Sequence, residues 1–233
     1  MTEIQKYNFE NGAQLAETLA NHVSEAVSAG IAARGRASLV FSGGGTPVRL
    51  FRQLASRPIS WGDVTITLSD ERWVDEDSID SNAAMLRREL LSGDATAAEF
   101  IGLKTEQETP EEAETECARR LSAIPLPYDL VVLGMGTDGH TASLFPGAAN
   151  LDKALDPDNP RPCIAARPPG AAQPRMSLTL ANLLNCQRLV LLISGEDKRR
   201  VLEMALESGP VEDMPVRALL RQSDVPVDIF WAP

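Results

Sequence analysis

The chain has 233 residues, 43% of them hydrophobic, and a formal net charge of −11. This length suits one large α/β domain or two small ones. The negative charge repels nucleic acids and anionic membranes at long range, so we expect neither as a partner.

No apolar run approaches the ~18 residues of a membrane helix, and residues 1–10 lack the basic start and apolar core of a signal peptide. The three cysteines Cys117, Cys163 and Cys186 are widely spaced. They fit a reducing cytoplasm and predict neither a disulfide framework nor a zinc site. We therefore expect a cytoplasmic protein without a bound metal.

A first helix is predicted over residues 11–33, because Leu15, Leu19, Val23 and Val27 recur at a four-residue spacing along one face. His22 lies beside this stripe and is interpreted as a surface or boundary histidine.

Three successive glycines occupy the segment 42–47, between a predicted strand at Ala37–Phe41 and a predicted helix. Pro47 suits the first helical position, with Thr46 as the N-cap. Free backbone N–H groups and the positive end of the helix dipole would converge here, which favours an anion-binding loop containing Gly44 and Gly45. The loop lacks the G-K-[ST] ending of a P-loop, and a plain capped turn is the alternative interpretation.

Val64–Leu68 is rich in β-branched residues and predicts a second strand. Asp70, Glu71 and Arg72 follow at its carboxyl end. The acidic segment 75–80 lacks the glycine and the distal glutamate of an EF-hand loop, and it is interpreted as a solvated loop.

The remaining predictions concern shorter elements. Either Ser81 or Asn82 would cap the next helix, and Thr109 would cap another. Residues 151–174 are expected to form a long excursion with, at most, one strand. Pro226 would place the last strand at a sheet edge or delay its start. Strands are predicted at 99–103, 175–180, 189–193 and 225–231, and helices after Ser194 and around 218–220.

The apolar run Leu130–Leu133 predicts a strand buried on both faces, and Gly134, Gly136 and Gly139 follow it. The glycines also spell G-x-G-x-x-G, but too few residues remain before Pro146 for the helix that a dinucleotide site needs. A dinucleotide cofactor is therefore disfavoured.

Asp138 and His140 lie within this glycine-rich turn. Four loops follow predicted strands, and parallel strands bring such loops together at one sheet edge. They are the loops at Gly43, Asp70–Arg72, Asp138–His140 and Gly195–Lys198. Backbone donors, cations, a carboxylate and an imidazole would meet there, which indicates a site for acid–base chemistry on a small phosphorylated molecule. The sequence offers neither a metal-ligand cluster nor a G-x-S-x-G nucleophile turn.

Five segments together resemble the 6-phosphogluconolactonase family, which shares a Rossmann-like α/β fold with glucosamine-6-phosphate deaminases. The segments are SGGGTP at 42–47, SDERWV at 69–74, GMGTDGHTASLFPG at 134–147, RMSLT at 175–179 and SGEDK at 194–198.

The resemblance implies one domain over residues 1–233, with a mostly parallel sheet flanked by helices on both faces. It also implies hydrolysis of 6-phosphoglucono-δ-lactone to 6-phosphogluconate, in the oxidative pentose phosphate pathway, without a cofactor. The protein would be a monomer or a small homo-oligomer whose partner is the sugar-phosphate lactone.

In the resulting mechanistic hypothesis His140 is the general base, Asp138 orients it, and Asp70 positions the water or a sugar hydroxyl. The candidate phosphate-binding residues are Gly44, Gly45, Thr46, Arg72, Arg175 and Lys198. Coulomb repulsion predicts the cations at one end of the pocket and Asp138 with His140 at the other. Arg72 and Arg175 have surface ion pairs as an alternative interpretation.

Two other functions are considered. A sugar-phosphate sensor would bind without turnover. An amino-sugar phosphate isomerase or deaminase would carry a glutamate where this chain has Phe145, which cannot transfer a proton.

Overall fold

A computed structural model describes residues 3–233, and ten strands in this part of the chain form two sheets. The larger sheet contains Ile4–Asn8 (β1), Ala37–Phe41 (β2), Val64–Leu68 (β3), Glu99–Ile101 (β5), Leu130–Leu133 (β6), Leu189–Ser194 (β9) and Val227–Ala232 (β10). The smaller sheet contains Asp70–Arg72 (β4), Cys163–Ala166 (β7) and Arg175–Leu178 (β8).

All neighbouring strands of the larger sheet are parallel, in the order β1-β10-β9-β6-β2-β3-β5. From β2 the chain builds outward to β3 and β5, whereas from β6 it builds the other way to β9 and β10. The order therefore reverses between β2 and β6. In an open parallel sheet such a reversal leaves a crevice at the carboxyl ends of the strands.

Every residue of β2, β3 and β6 is buried, which requires cover on both faces of the sheet. This confirms the predicted mostly parallel α/β architecture. The helices are Gly12–Arg34 (α1), Val48–Ala55 (α2), Asn82–Glu89 (α3), Pro110–Leu121 (α4), Leu151–Leu155 (α5), Leu180–Leu184 (α6), Glu196–Leu206 (α7) and Val216–Arg221 (α8).

Helix α1 follows its predicted pattern, with Leu19 and Val23 fully buried against the sheet. The Asn11 side chain caps its start, and Gly35 ends it with φ of 77°. His22 is half-buried on this helix, with its ring 5.6 Å from that of Tyr7, as its interpretation as a boundary residue predicted.

Two local predictions need correction, and one of the two alternatives for the last strand is confirmed. Thr46 does not cap α2, because Pro47 takes the N-cap position without a side-chain capping bond. Strand β8 ends at Leu178, since Thr179 caps the helix α6 instead of continuing the strand. The last strand starts late, at Val227, but it is not an edge strand because β1 pairs along it.

Strand β1 and helices α5 and α6 were not predicted from the sequence, and neither was strand β4. Strand β4 looked like a loop after β3 in the sequence. It pairs antiparallel with β8, and β8 pairs antiparallel with β7. The register places Arg72 opposite Arg175 and Asp70 opposite Ser177. This small sheet therefore brings residues that are a hundred positions apart to the carboxyl edge of the large one.

Within residues 3–233, none of the helices combines the length and the apolar character needed to cross a membrane.

Candidate active site

A cavity of about 220 Å³ opens at the carboxyl edge of the large sheet, around the reversal between β2 and β6. All four predicted loops reach it. Most of the predicted site residues line it, namely Gly44, Thr46, Asp70, Arg72, His140, Arg175 and Lys198. Gly45 faces a neighbouring cavity, and Asp138 reaches the first cavity through His140.

Asp138 and His140 form the central pair of this cavity. The carboxylate Oδ1 of Asp138 lies 2.5 Å from Nδ1 of His140 and also accepts a hydrogen bond of 3.1 Å from the backbone N–H of His140. Because an ionised carboxylate only accepts, Nδ1 carries the proton of the neutral ring. The lone pair of the neutral imidazole is therefore on Nε2.

The surroundings keep this imidazole neutral. Burial lowers the pKa of His140 below its usual value, although the charges of Asp138 and Asp70 act in the opposite direction. Burial also opposes ionisation of Asp138, but the hydrogen bonds and the charge of His140 outweigh it and lower the pKa of Asp138. The pair is thus a carboxylate beside a neutral base.

Glycines make the close pairing of Asp138 and His140 possible. A Cβ atom on Gly136 would overlap with both side chains, and a Cβ on Gly139 would press on Met214. Gly139 also has φ of 80°, which side chains disfavour. Gly136 therefore serves close backbone approach, and Gly139 serves both close packing and the geometry of the turn.

Asp70 is buried and held by a chain of hydroxyl groups. Its Oδ1 accepts from Ser69 Oγ at 3.1 Å, and Ser69 Oγ lies 2.9 Å from Ser42 Oγ. Its Oδ2 accepts from Ser143 Oγ at 2.6 Å and lies 3.7 Å from Nη1 of Arg175. These contacts fix the Asp70 carboxylate at one wall of the cavity.

Arg72 and Arg175 face each other across the small sheet, and both are half-buried. Like charges directly opposite on a ladder repel each other. Burial lowers the pKa of Arg175, and the charge of Arg72 adds to this effect. The buried Nε atoms of both arginines have no hydrogen-bond partner within residues 3–233. Two close guanidinium groups with free donors suit an anionic ligand.

Lys198 lies on the first turn of α7 and donates to the backbone carbonyl of Met135. Burial lowers its pKa, and the charge of Asp138 acts in the opposite direction. The expected separation of cations from carboxylates is therefore wrong, because Arg175 lies at Asp70 and Lys198 lies in the field of Asp138. The error concerning Arg175 arose because the β4–β8 pairing, which brings Arg175 to Asp70, leaves no pattern in the sequence.

The glycine loop after β2 also lines the cavity. Gly44 has φ of 91°, and both Gly44 and Thr46 are exposed at the cavity. A Cβ atom on Gly43 would overlap with the amide of Asn82, so Gly43 allows these two segments to touch.

Two functional neighbours were missed by sequence reasoning. Asn82 lines the cavity, and its Nδ2 donates to the Asp70 carbonyl at 2.8 Å. Glu71 is buried and accepts from the backbone N–H groups of Asn82 and Ala83, at 2.7 Å each. The free N–H groups at a helix N-terminus need acceptors, and Glu71 precedes the capped helix by ten residues, so a contact between them could have been considered. The contact depends on tertiary structure, however, and the sequence alone does not show it.

The described residues, 3–233, contain no group of three or more histidine, cysteine or acidic side chains arranged to hold a metal ion.

The parallel α/β sheet carries a neutral base and two opposed arginines where its strand order reverses. This arrangement defines a protein that performs acid–base chemistry on small anions. The sequence model of the family described as glucosamine-6-phosphate isomerases/6-phosphogluconolactonase matches residues 10–231. The chain belongs to this family.

Similar proteins cover the chain from end to end. It is 46% identical to a 6-phosphogluconolactonase of Rhizobium meliloti (strain 1021), over 97% of both chains. It is 40% identical to a 6-phosphogluconolactonase of Pseudomonas putida, over 99% of this chain and 93% of that one. The crystal structure of a 6-phosphogluconolactonase from Shewanella baltica OS155 matches with a TM-score of 0.96 and 42% identity, covering 100% of this chain and 98% of that one.

Proposed function

We propose that this protein hydrolyses 6-phospho-D-glucono-1,5-lactone to 6-phospho-D-gluconate, a step of the oxidative pentose phosphate pathway. Its similarity to proteins named 6-phosphogluconolactonase supports the substrate. The observation that carries the chemistry is the neutral His140 ring, with Nδ1 bonded to Asp138 and Nε2 left as a base at the cavity.

In the first step Nε2 of His140 removes a proton from water while the water oxygen attacks the lactone carbonyl carbon. The carbonyl π bond gives its electron pair to the oxygen, which becomes a tetrahedral oxyanion. Backbone N–H groups of the glycine loops are the available donors for this charge. Collapse of the intermediate breaks the bond to the ring oxygen, which takes the proton from His140. The product acid then ionises and releases one proton.

Asp138 stabilises the imidazolium that forms during the attack and keeps Nδ1 protonated beforehand. Asp70 positions the water or a sugar hydroxyl, since its carboxylate is fixed by Ser69 and Ser143 at the cavity wall. Neither carboxylate forms a covalent bond to the substrate in this scheme.

The phosphate group is bound by Arg72, Arg175 and Lys198, with N–H donors from the loop that contains Gly44, Gly45 and Thr46. The opposed arginines support this assignment, because an anion between them offsets their repulsion. The depressed pKa of Lys198, caused by burial, also means that a bound anion would restore its preference for the charged form.

The proposal also covers the domain organisation, oligomeric state, location and partners of the protein. We propose one domain over residues 1–233, a monomer or small homo-oligomer, acting in the cytoplasm on the sugar-phosphate lactone without nucleic acid, membrane or cofactor.

The direct test is proton release from freshly prepared 6-phosphogluconolactone, measured against its spontaneous hydrolysis. Added protein should accelerate the release, and glucosamine 6-phosphate should yield no ammonia. Binding of the lactone without acceleration would indicate a sensor. Ammonia release would indicate a deaminase, which Phe145 disfavours because it offers no proton.

A further inference from the structure

Phe145 lies behind the catalytic pair, five residues after His140 in the same loop. Its ring centroid is 3.9 Å from that of His140, with the two planes inclined by 24°. The guanidinium carbon of Arg175 lies 5.1 Å from the Phe145 centroid. Among residues 3–233, those that line the cavity do not include Phe145, so it contacts the catalytic base from outside the cavity lining.

We infer that Phe145 is a positioning residue for lactone hydrolysis, which orients the His140 ring, excludes water from one of its faces and supports Arg175. This inference rests on the proposed function for its link to turnover. Its structural part, the control of the His140 ring, does not depend on which substrate is used.

The stacking geometry explains how the Phe145 side chain acts on both His140 and Arg175. The hydrogen bond to Asp138 fixes Nδ1 of the imidazole, but this single contact leaves the tilt of the ring plane free. A stacked aromatic ring removes this freedom, so Nε2 keeps one direction towards the cavity. The same ring offers its π-system to the Arg175 guanidinium.

Charged groups reach His140 from several elements, and their effects oppose one another. Asp138 in the same loop and Asp70 on β4 favour the protonated ring, whereas Lys198 on α7 disfavours it. Arg175 on β8 is a further cation, separated from the imidazole by its contact with Phe145. Burial outweighs the carboxylates and lowers the pKa of His140. Phe145 supplies part of this burial by covering the ring.

The chain has only two histidines, which makes a direct titration possible. We would follow the imidazole Cε1–H signals of His22 and His140 by NMR across pH, and assign them with a His22→Gln variant. Phe145→Leu removes the stacked ring, so the midpoint of His140 should rise by about 0.5–1 pH unit, towards its ordinary value.

Phe145→Tyr keeps the aromatic stack and is the matched control, with a His140 midpoint close to that of the wild-type protein. If Phe145→Leu does not fold, Phe145→Met supplies the same test with a flexible apolar side chain. An unchanged or lowered His140 midpoint in the leucine or methionine variant would overturn the inference, because a residue that only fills space would leave the titration alone.

Turnover of the lactone separates the inference about Phe145 from the proposed function. The acid limb of kcat/KM for the lactone should move upward in Phe145→Leu by the same amount as the NMR midpoint. A shifted midpoint in a protein that does not hydrolyse the lactone would keep Phe145 as the residue that controls His140 and reject the proposed function. A shifted midpoint with an unshifted acid limb would reject the link from Phe145 to catalysis.

Discussion

At the scale of single residues, the site depends on a short sequence interval that folds back on itself. Asp138 and His140 are two positions apart, so one turn can bring the carboxylate to the ring and to the backbone N–H of His140. Such local pairing is readable from sequence. The contacts of Asp70 with Ser143 and Arg175 join distant segments, and only the fold reveals them.

Asp138→Asn tests the role of the carboxylate as a partner of the base. The charge of Asp138 raises the pKa of His140, so its removal should lower that pKa further and move the acid limb of kcat/KM to lower pH. We expect kcat to fall by about 10- to 10³-fold, because the imidazolium loses its counter-charge. A pH–rate series measures both effects, and an acid limb that moved upward would contradict this account.

At the scale of elements, the glycine turn after β6 is a steric requirement for the catalytic pair. Gly136 leaves no room for a Cβ atom beside His140 and Asp138, whereas Gly62, exposed in the short 3-10 helix Trp61–Asp63, has no heavy atom within 4 Å of a Cβ position. Alanine at Gly136 and alanine at Gly62 together therefore distinguish a change in the geometry of the catalytic pair from the general effect of replacing a glycine.

Gly136→Ala should reduce kcat by at least about tenfold, because the His140 ring must move away from its position and catalysis is sensitive to such displacements. Gly62→Ala should keep the wild-type rate. Steady-state kinetics on folded variants measures this, and full activity of Gly136→Ala would show that the ring position is not needed.

Glu71 connects strand β4 to helix α3. Burial raises its pKa, against the lowering effect of its backbone hydrogen bonds, and its carboxylate accepts from Arg72, Asn82 and Ala83. Its removal leaves several buried N–H groups without a partner. It therefore fixes the start of α3 and the strand that carries Arg72.

Glu71→Ala should lower the free energy of unfolding by about 2–4 kcal/mol, since buried donors lose their acceptor. Glu106→Ala, at an exposed glutamate, should change it by no more than about 0.5 kcal/mol. Denaturant titration of both variants tests this, and equal stabilities would assign Glu71 no structural role.

The sequence predicted the elements whose patterns are local. Buried apolar strands such as Ala37–Phe41 and Leu130–Leu133 and the capped helix at Thr109 follow from hydrophobic runs and capping residues. Strand β4 and its place in the small sheet escaped prediction because Asp70–Arg72 is three polar residues long, and its strand character comes from pairing with β8. Polar short strands carry no pattern of their own.

At the scale of the whole molecule, a chain with a net charge of −11 must bind an anionic substrate. The cations are therefore concentrated at the cavity. The small sheet places Arg72 opposite Arg175, and the first turn of α7 brings Lys198 to the same cavity. Sulfate or phosphate ions should accordingly compete with the substrate.

Lys198→Ala should raise KM for the phosphorylated lactone by about 10- to 100-fold, the value of a hydrogen bond to a charged group. Turnover of unphosphorylated gluconolactone should change little. Lys153→Ala, at an exposed lysine of α5, is the control and should leave both substrates unaffected. Equal losses on the two lactones would show that Lys198 does not bind phosphate.

The measurement that tests the central claim most directly is kcat for 6-phosphogluconolactone in His140→Ala, beside His22→Gln. Both variants lose one of the two histidines, but only His140 lies at the cavity. We predict a fall of about 10²- to 10⁴-fold for His140→Ala, the usual contribution of a general base, and near wild-type turnover for His22→Gln. Near wild-type turnover by a folded His140→Ala protein would contradict the account.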